Sequence, residues 1–221
     1  DGIRACLLSR GLGDVYKRQV SADDWITLTG AIYTSDDDAS NGDIVFNDKV
    51  AIDGTVIIDS DDGNITFTTS IDGADATTDN LTVESGSGSI TLVAVGATKE
   101  LEGLTINAQT TGTAALTIPN IGSGAINLST GAGVNGNVAI GNTNTSSITL
   151  SGLIYSVDGN ITLTTAAGDT TNHEINITGG TAAADPFIAT DAGNISFVGG
   201  EVELADHSNL TINSNRLAGS T

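Results

Sequence analysis

The most chemically loaded stretch of this 221-residue chain is Asp59-Ser60-Asp61-Asp62-Gly63-Asn64, where three carboxylates and a carboxamide crowd around one turn. Hard oxygens gathered in this way are the donor set that calcium takes. Asp59, Asp61, Asp62 and Asn64 are therefore the candidate metal ligands, and calcium is the one cofactor the residues suggest. The spacing departs from known calcium loops. The EF-hand's Asp or Asn at the fifth position and its distal Glu are missing, and no tandem Gly-Gly-x-Gly-x-Asp series marks a calcium-loaded β-roll. A solvated acidic turn accounts for the same letters, and it is the reading adopted.

Other chemistry-bearing residues are scattered. His173 and His207 sit among polar residues with no partner at ligand spacing, so exposed, solvated side chains are expected. Serines and threonines are too common for nearness to a histidine to mark a catalytic triad. Asp61 and Asp62 could supply acid–base groups for a polysaccharide lyase or hydrolase. Such chemistry also wants a cation near the substrate carboxylate, and Lys49, Lys99 and Arg216 lie far apart in sequence. Trp25, Tyr33 and Tyr155 are the main aromatics for sugar stacking, with Trp25 equally suited to covering a coil end. Asn-(Ile/Leu)-(Thr/Ser) triplets at Asn64, Asn80, Asn127, Asn160, Asn176, Asn194 and Asn209 match glycosylation acceptors, but a turn Asn ahead of a strand produces the same triplet. Thr66, Thr68, Thr162 and Thr164 could form a flat ice-binding array, against which the irregular spacing elsewhere argues.

The elements that would carry these residues are short strands. Gly63-Asn64-Ile65-Thr66-Phe67-Thr68-Thr69 returns as Gly159-Asn160-Ile161-Thr162-Leu163-Thr164-Thr165, with weaker copies beginning at Gly42, Gly88, Gly124 and Gly193. Side chains alternate along a strand, so the isoleucine and the following Phe or Leu face a core while the threonines face water. Apolar-x-apolar cores start at Ile26, Ile44, Val56, Ile65, Leu81, Ile90, Leu104, Leu116, Ile126, Val138, Ile148, Ile161, Ile175, Ile195, Val202 and Leu210. Amphipathic helical periodicity is absent. Their spacing suits a sandwich equally well, but a sandwich has no reason to reuse one local solution, whereas stacked coils do. The prediction is an all-β parallel β-solenoid with coils about 4.8 Å apart. Gly63, Gly73, Gly86, Gly88, Gly122, Gly124, Gly159 and Gly193 are assigned to turns needing positive φ. Pro119 and Pro186 belong at strand ends, and Ser35–Asn41 and Thr178–Ala192 read as protrusions.

Residues 1–19 read differently. Translated back into codons, Ser9 to Gln19 match the end of a transposase-type sequencing adapter, and Asp1 to Arg4 its outer part, with Ala5 departing. A secretory leader would need about 7–15 apolar residues, and Cys6-Leu7-Leu8 is too short. The expected division is thus an adapter-derived segment, 1–19, and one elongated solenoid, 20–221, a fragment without native caps. Setting aside Asp1 and Asp14 from the 27 acids, and Arg4, Arg10, Lys17 and Arg18 from the seven bases, leaves 25 acids against three bases, a formal net charge of −22. That argues against nucleic acid and anionic membranes as partners. The only cysteine, Cys6, lies in the adapter-like segment, so the rest has no disulfide or thiolate metal site. No apolar run reaches the length of a membrane span.

The order of motifs from Gly63 to Ile106 is Gly-Asn-Ile-Thr-Phe, Ile71-Asp72-Gly73, Asn80-Leu81-Thr82-Val83, Gly88-Ser89-Ile90-Thr91-Leu92, Val95-Gly96, and Leu101-Glu102-Gly103-Leu104-Thr105-Ile106. It resembles the β-strand repeats of large bacterial surface proteins of the filamentous-haemagglutinin and autotransporter-adhesin type, across most of Val20 to Thr221. The resemblance implies a right-handed parallel β-helix, placement outside the cell or on the bacterial outer surface, and host or neighbouring-cell surface glycans or proteins as partners. The expected function is a structural and adhesive stalk with no catalytic residues. The alternative is a pectin-lyase-like β-helix enzyme acting on polysaccharides.

Overall fold

The structure, a computed structural model, describes residues 17–20, 25–33, 42–75, 78–107, 115–123, 133–168, 173–178, 187–204 and 210–214. Ser35–Asn41, most of Thr178–Ala192, Pro186, Ile126, His207 and Arg216 lie outside them. Among the described residues there are 23 short strands and no helix.

Every third strand stacks on the same face, so three sheets wrap one core. The first face holds β1 (Lys17–Val20), β4 (Asp43–Phe46), β7 (Ile65–Phe67) and β10 (Ile90–Thr91), followed by β13 (Leu116–Ile118), β16 (Ile148–Leu150), β19 (Glu174–Ile177) and β22 (Glu201–Leu204). β13 lies beside β10, although the hydrogen-bonded ladder is interrupted there. The second face holds β2 (Trp25–Leu28), β5 (Lys49–Ile52), β8 (Ile71–Gly73), β11 (Ala94–Val95), β14 (Asn120–Ile121), β17 (Ile154–Ser156), β20 (Phe187–Thr190) and β23 (Thr211–Asn213). The third holds β3 (Ile32–Tyr33), β6 (Thr55–Asp59), β9 (Asn80–Glu84), β12 (Gly103–Ile106), β15 (Val138–Ile140), β18 (Ile161–Thr164) and β21 (Ile195–Val198). All pairings are parallel, for example Ile44 with Ile65 and Leu81 with Leu104. The chain is a β-solenoid. β1 straddles residue 19, the end of the adapter-like match, because any short extended segment can continue a parallel ladder through backbone bonds alone.

Burial follows the alternation. Ile65 and Phe67 are buried while Thr66 between them is partly exposed, and Ile161, Thr162 and Leu163 repeat the pattern. Equivalent positions stack like on like, and Phe46 lies over Phe67 with ring centroids 4.6 Å apart and planes 14° from parallel. At about 25 cal/mol per Å² of apolar surface, this continuous aliphatic column is the main stabilising term. The predicted core positions from Ile26 to Ile175 that are described are buried. Ile195 and Leu210 are only partly buried and Val202 is 42% exposed. The reason is position: they belong to β21, β22 and the approach to β23, the last strands of their sheets.

Two expectations are corrected. Apart from the cores at Ile26 and Leu210, the second face is absent from the predicted apolar cores, although Val50, Ile71, Val95, Ile121, Ile154 and Ile188 line it at zero exposure. Two of its strands are only two residues long, and in β8 all three residues are buried, so none of these shows alternation. Further, Gly63, Gly88, Gly159 and Gly193 are not in the left-handed region, unlike Gly86 and Gly122. They sit where coils touch: a Cβ on Gly159 would strike the carbonyl oxygen of Gly136, and one on Gly193 that of Gly159. Close approach, and not backbone freedom, demands glycine there.

Candidate functional site

The acidic turn connects β6 on the third face to β7 on the first. Ser60, fully buried, donates its hydroxyl to Gly63 O at 2.5 Å and fixes the corner. Asp61 and Asp62 take positive φ, 46° and 80°, a conformation that a short polar side chain tolerates. Asp61 N–H donates to Asp59 Oδ1 at 3.1 Å, and Asp62 Oδ1 accepts from Ser87 N–H on the next coil at 2.6 Å. That backbone bond from Ser87, and then the bond from its side chain, hold the Asp62 carboxyl below its ordinary value of 3.8. Asn64 donates its N–H and Nδ2 to Asp43 Oδ1, both at 3.0 Å, and its Oδ1 accepts from Ser89 N–H at 2.9 Å and Ser89 Oγ at 2.6 Å. Of the four candidate calcium ligands, Asp59 thus accepts a bond within the turn, Asp62 bonds to the next coil, and Asn64 bonds to the coils on both sides. Among the described residues no group of three or more His, Cys, Asp or Glu is placed to hold a metal ion.

Asp43, Asn64 and Ser89 form one rung-to-rung ladder, and Asn137, Asn160 and Asn194 form a second. Asn160 N–H donates to Asn137 Oδ1 and Asn194 N–H to Asn160 Oδ1, each at 2.9 Å. The two near-identical sequence repeats therefore stand on different faces, β7 on the first and β18 on the third, and not above one another. For the same reason Thr66 and Thr68 do not share a surface with Thr162 and Thr164, and Thr68 Oγ1 donates to Phe46 O at 3.2 Å. Coil length also varies: the rung offset is 21 residues from Asp43 to Asn64 and 34 from Asn160 to Asn194.

A signal the motif reading overlooked precedes each of four glycines by three residues: Ser60, Ser85, Ser156 and Thr190. All four are fully buried. Ser85 Oγ donates to Gly88 O at 2.6 Å, Ser156 Oγ accepts from Gly159 N–H at 3.0 Å, and Thr190 Oγ1 accepts from Gly193 N–H at 3.0 Å. Ser/Thr-x-x-Gly-(Asn/Ser)-Ile is the corner motif of this solenoid, a hydroxyl tying the turn from inside.

The third face carries a groove among the described residues. Between β9, β12 and β15 lies a groove of about 330 Å³ bordered by Asn80, Thr82, Glu102, Gly103, Thr105 and Asn137. Register places Gly103 directly after Asn80 in the stack, and Leu104 N–H donates to Asn137 O. Gly103 is thus the rung between two asparagines, and the missing side chain makes the hollow. Asn80 Oδ1 stands 2.6 Å from where a Cβ on Gly103 would be, and Glu102 Oε1 3.8 Å from where one on Gly136 would be.

The remaining candidates are dispersed. His173 is half-buried beside β19, where exposure was expected: Gly168 lies beside its ring and Gly200 of the next coil beside its carbonyl. Tyr155 is buried, with its hydroxyl donating to Asp191 Oδ2 at 2.7 Å, so its ring offers no open face for sugar stacking. Tyr33 is 52% exposed. Trp25 is half-buried and pairs in register with Lys49, whose Nζ lies 5.3 Å from its ring centroid. Lys99 Nζ donates to Ala74 O at 2.8 Å. No family model matches this chain, and neither a curated protein nor a solved structure does.

Proposed function

We propose that the solenoid is a structural and adhesive stalk segment of a large bacterial cell-surface or secreted repeat protein. The observation that carries this reading is where its polar side chains are spent: Asp62 on Ser87, Asn64 on Asp43 and Ser89, and Asn160 on Asn194. Each bond runs from one coil to the next, in the direction along which a stalk transmits load. Asp62, one of the aspartates suggested for acid–base work, is poorly suited to act as a general acid near neutral pH, since its carboxyl is held below the usual carboxylate range. Location at the bacterial outer surface, with surface glycans or proteins as partners, rests on the resemblance to adhesin strand repeats.

The test is a screen of the purified chain against acidic polysaccharides with and without calcium. The stalk reading expects no turnover under either condition. Turnover that disappears in Asp61→Asn and Asp62→Asn would replace it with the polysaccharide-active reading.

A further inference from the structure

The groove over Gly103 is a break in an otherwise continuous device. Along the third face, Asn160 and Asn194 each donate a backbone N–H to the side-chain oxygen of the preceding asparagine, and Asn194 Nδ2 adds a second bond at 3.3 Å. Asn137 is the first member of that series. Its Oδ1 accepts from Asn160, but the position before it is Gly103, which has no side-chain oxygen to offer. Among the described residues no hydrogen bond leaves the N–H or Nδ2 of Asn137. On the other side of the gap, Asn80 uses Nδ2 on Thr78 O at 3.0 Å and turns Oδ1 towards the hollow. Asn80 Oδ1 thus lies over Gly103 and Asn137 stands one rung further on, in a groove that Thr82, Thr105 and Glu102 also border.

We propose that this hollow binds a neutral saccharide residue through adjacent ring hydroxyls: one hydroxyl oxygen accepts from Asn137, and its neighbour donates to Asn80 Oδ1. The chemistry selects that class. A ligand must accept and donate within one short span, which a vicinal diol does and a simple anion does not. Glu102 and the formal charge of −20 repel carboxylate and sulfate groups, while the Glu102 carboxylate accepts readily from a hydroxyl. A volume of about 330 Å³ stands at the small end of ligand sites, which run from about 300 to 1,000 Å³, and suits a sugar ring better than a folded partner. The threonines add rotatable hydroxyls that can serve as donor or acceptor. This site is separate from the acidic turn and does not depend on the solenoid being a stalk.

Two substitutions test the site without dismantling the fold. Gly103→Asn rebuilds the missing rung: Gly103 is not in the left-handed region, and a Cβ there meets only the end of the Asn80 side chain and ordinary contacts. Asn137→Asp keeps the oxygen that Asn160 needs but removes the Nδ2 donor. Binding of neutral mono- and oligosaccharides and of a uronic acid to the full chain is measured by saturation-transfer NMR and calorimetry, with melting followed by circular dichroism. The expected result is binding of a neutral saccharide, no tighter binding of the uronic acid, and affinity lowered at least about tenfold in both variants with the melting transition kept. Should Gly103→Asn fail to fold, Asn137→Asp alone decides. Absence of binding by every neutral sugar, equal binding by a folded variant, or preference for the uronic acid overturns the proposal.

Discussion

Asn160 sits at a strand entrance where sequence alone suggests a turn residue, yet it does not take positive φ. Its work is done by its side chain, which accepts from Asn194 N–H. Asn160→Ala leaves that donor without its bond to the preceding coil, and we expect a loss of about 1 kcal/mol in urea denaturation; an unchanged midpoint and slope would contradict the ladder. Asp62 allows a test by pH. Its folded pKa lies below 3.8, so its ionised form contributes stability that is present above that value and lost as pH falls through the folded pKa. Asp62→Asn is expected to destabilise at neutral pH and to make little difference in strong acid. The carboxyl carbon resonance of Asp62 is expected to titrate with a midpoint below 3.8, and a midpoint at or above 3.8 would show that Ser87 does not bond it in solution. The left-handed φ of Asp61 and Asp62 was legible as turn character, whereas the partners of their carboxylates were not, since Ser87 lies on the next coil.

At the scale of the element, the repeating unit is a corner and the strand that follows it. The buried hydroxyl, the glycine and the asparagine each answer one demand of stacking: tie the turn, let two coils touch, and continue the polar ladder. Gly159→Ala tests the second demand. Its Cβ would meet the Gly136 carbonyl and the Asn137 nitrogen, both backbone atoms that move only with their coils. We expect a cost of about 1–3 kcal/mol or more, seen as a lowered melting temperature with the β-type circular dichroism spectrum kept. An alanine tolerated without change would mean that the coils are not in contact there. Strands such as Ile65–Phe67 on the first face and Ile161–Thr164 on the third were readable because three or more residues alternate in them. Those of the second face, such as Ala94–Val95 and Asn120–Ile121, became strands only through their neighbours.

For the whole molecule, the last strands leave apolar side chains open: Val202 at 42%, Leu204 at 49% and Ile212 at 49% exposure. Apolar surface on the last described strands of each sheet favours association, while the formal charge of −20 opposes it. Screening shortens the repulsion to about 10 Å at 0.1 M salt and leaves contact interactions intact. Light scattering is therefore expected to report increasing association as salt rises, reduced by Val202→Lys, Leu204→Lys and Ile212→Lys together. A monomer at every salt concentration would show that this surface does not drive self-association.

The sequence by itself determined the class of fold and the inner face of its longer strands, because a period of two with β-branched residues at alternate positions leaves few other ways to bury Ile65, Phe67, Ile161 and Leu163. It also showed that the turns are rich in glycine and asparagine. Only the tertiary structure decided that the two near-identical repeats occupy different faces, that Gly63 and Gly159 are packing glycines, and that Gly103 interrupts an asparagine ladder. The physical reason is the variable coil length. Which residues stand above one another depends on the number of residues spent between faces, 21 in one coil and 34 in another. That number is settled by how the coils pack, and local pattern does not encode it.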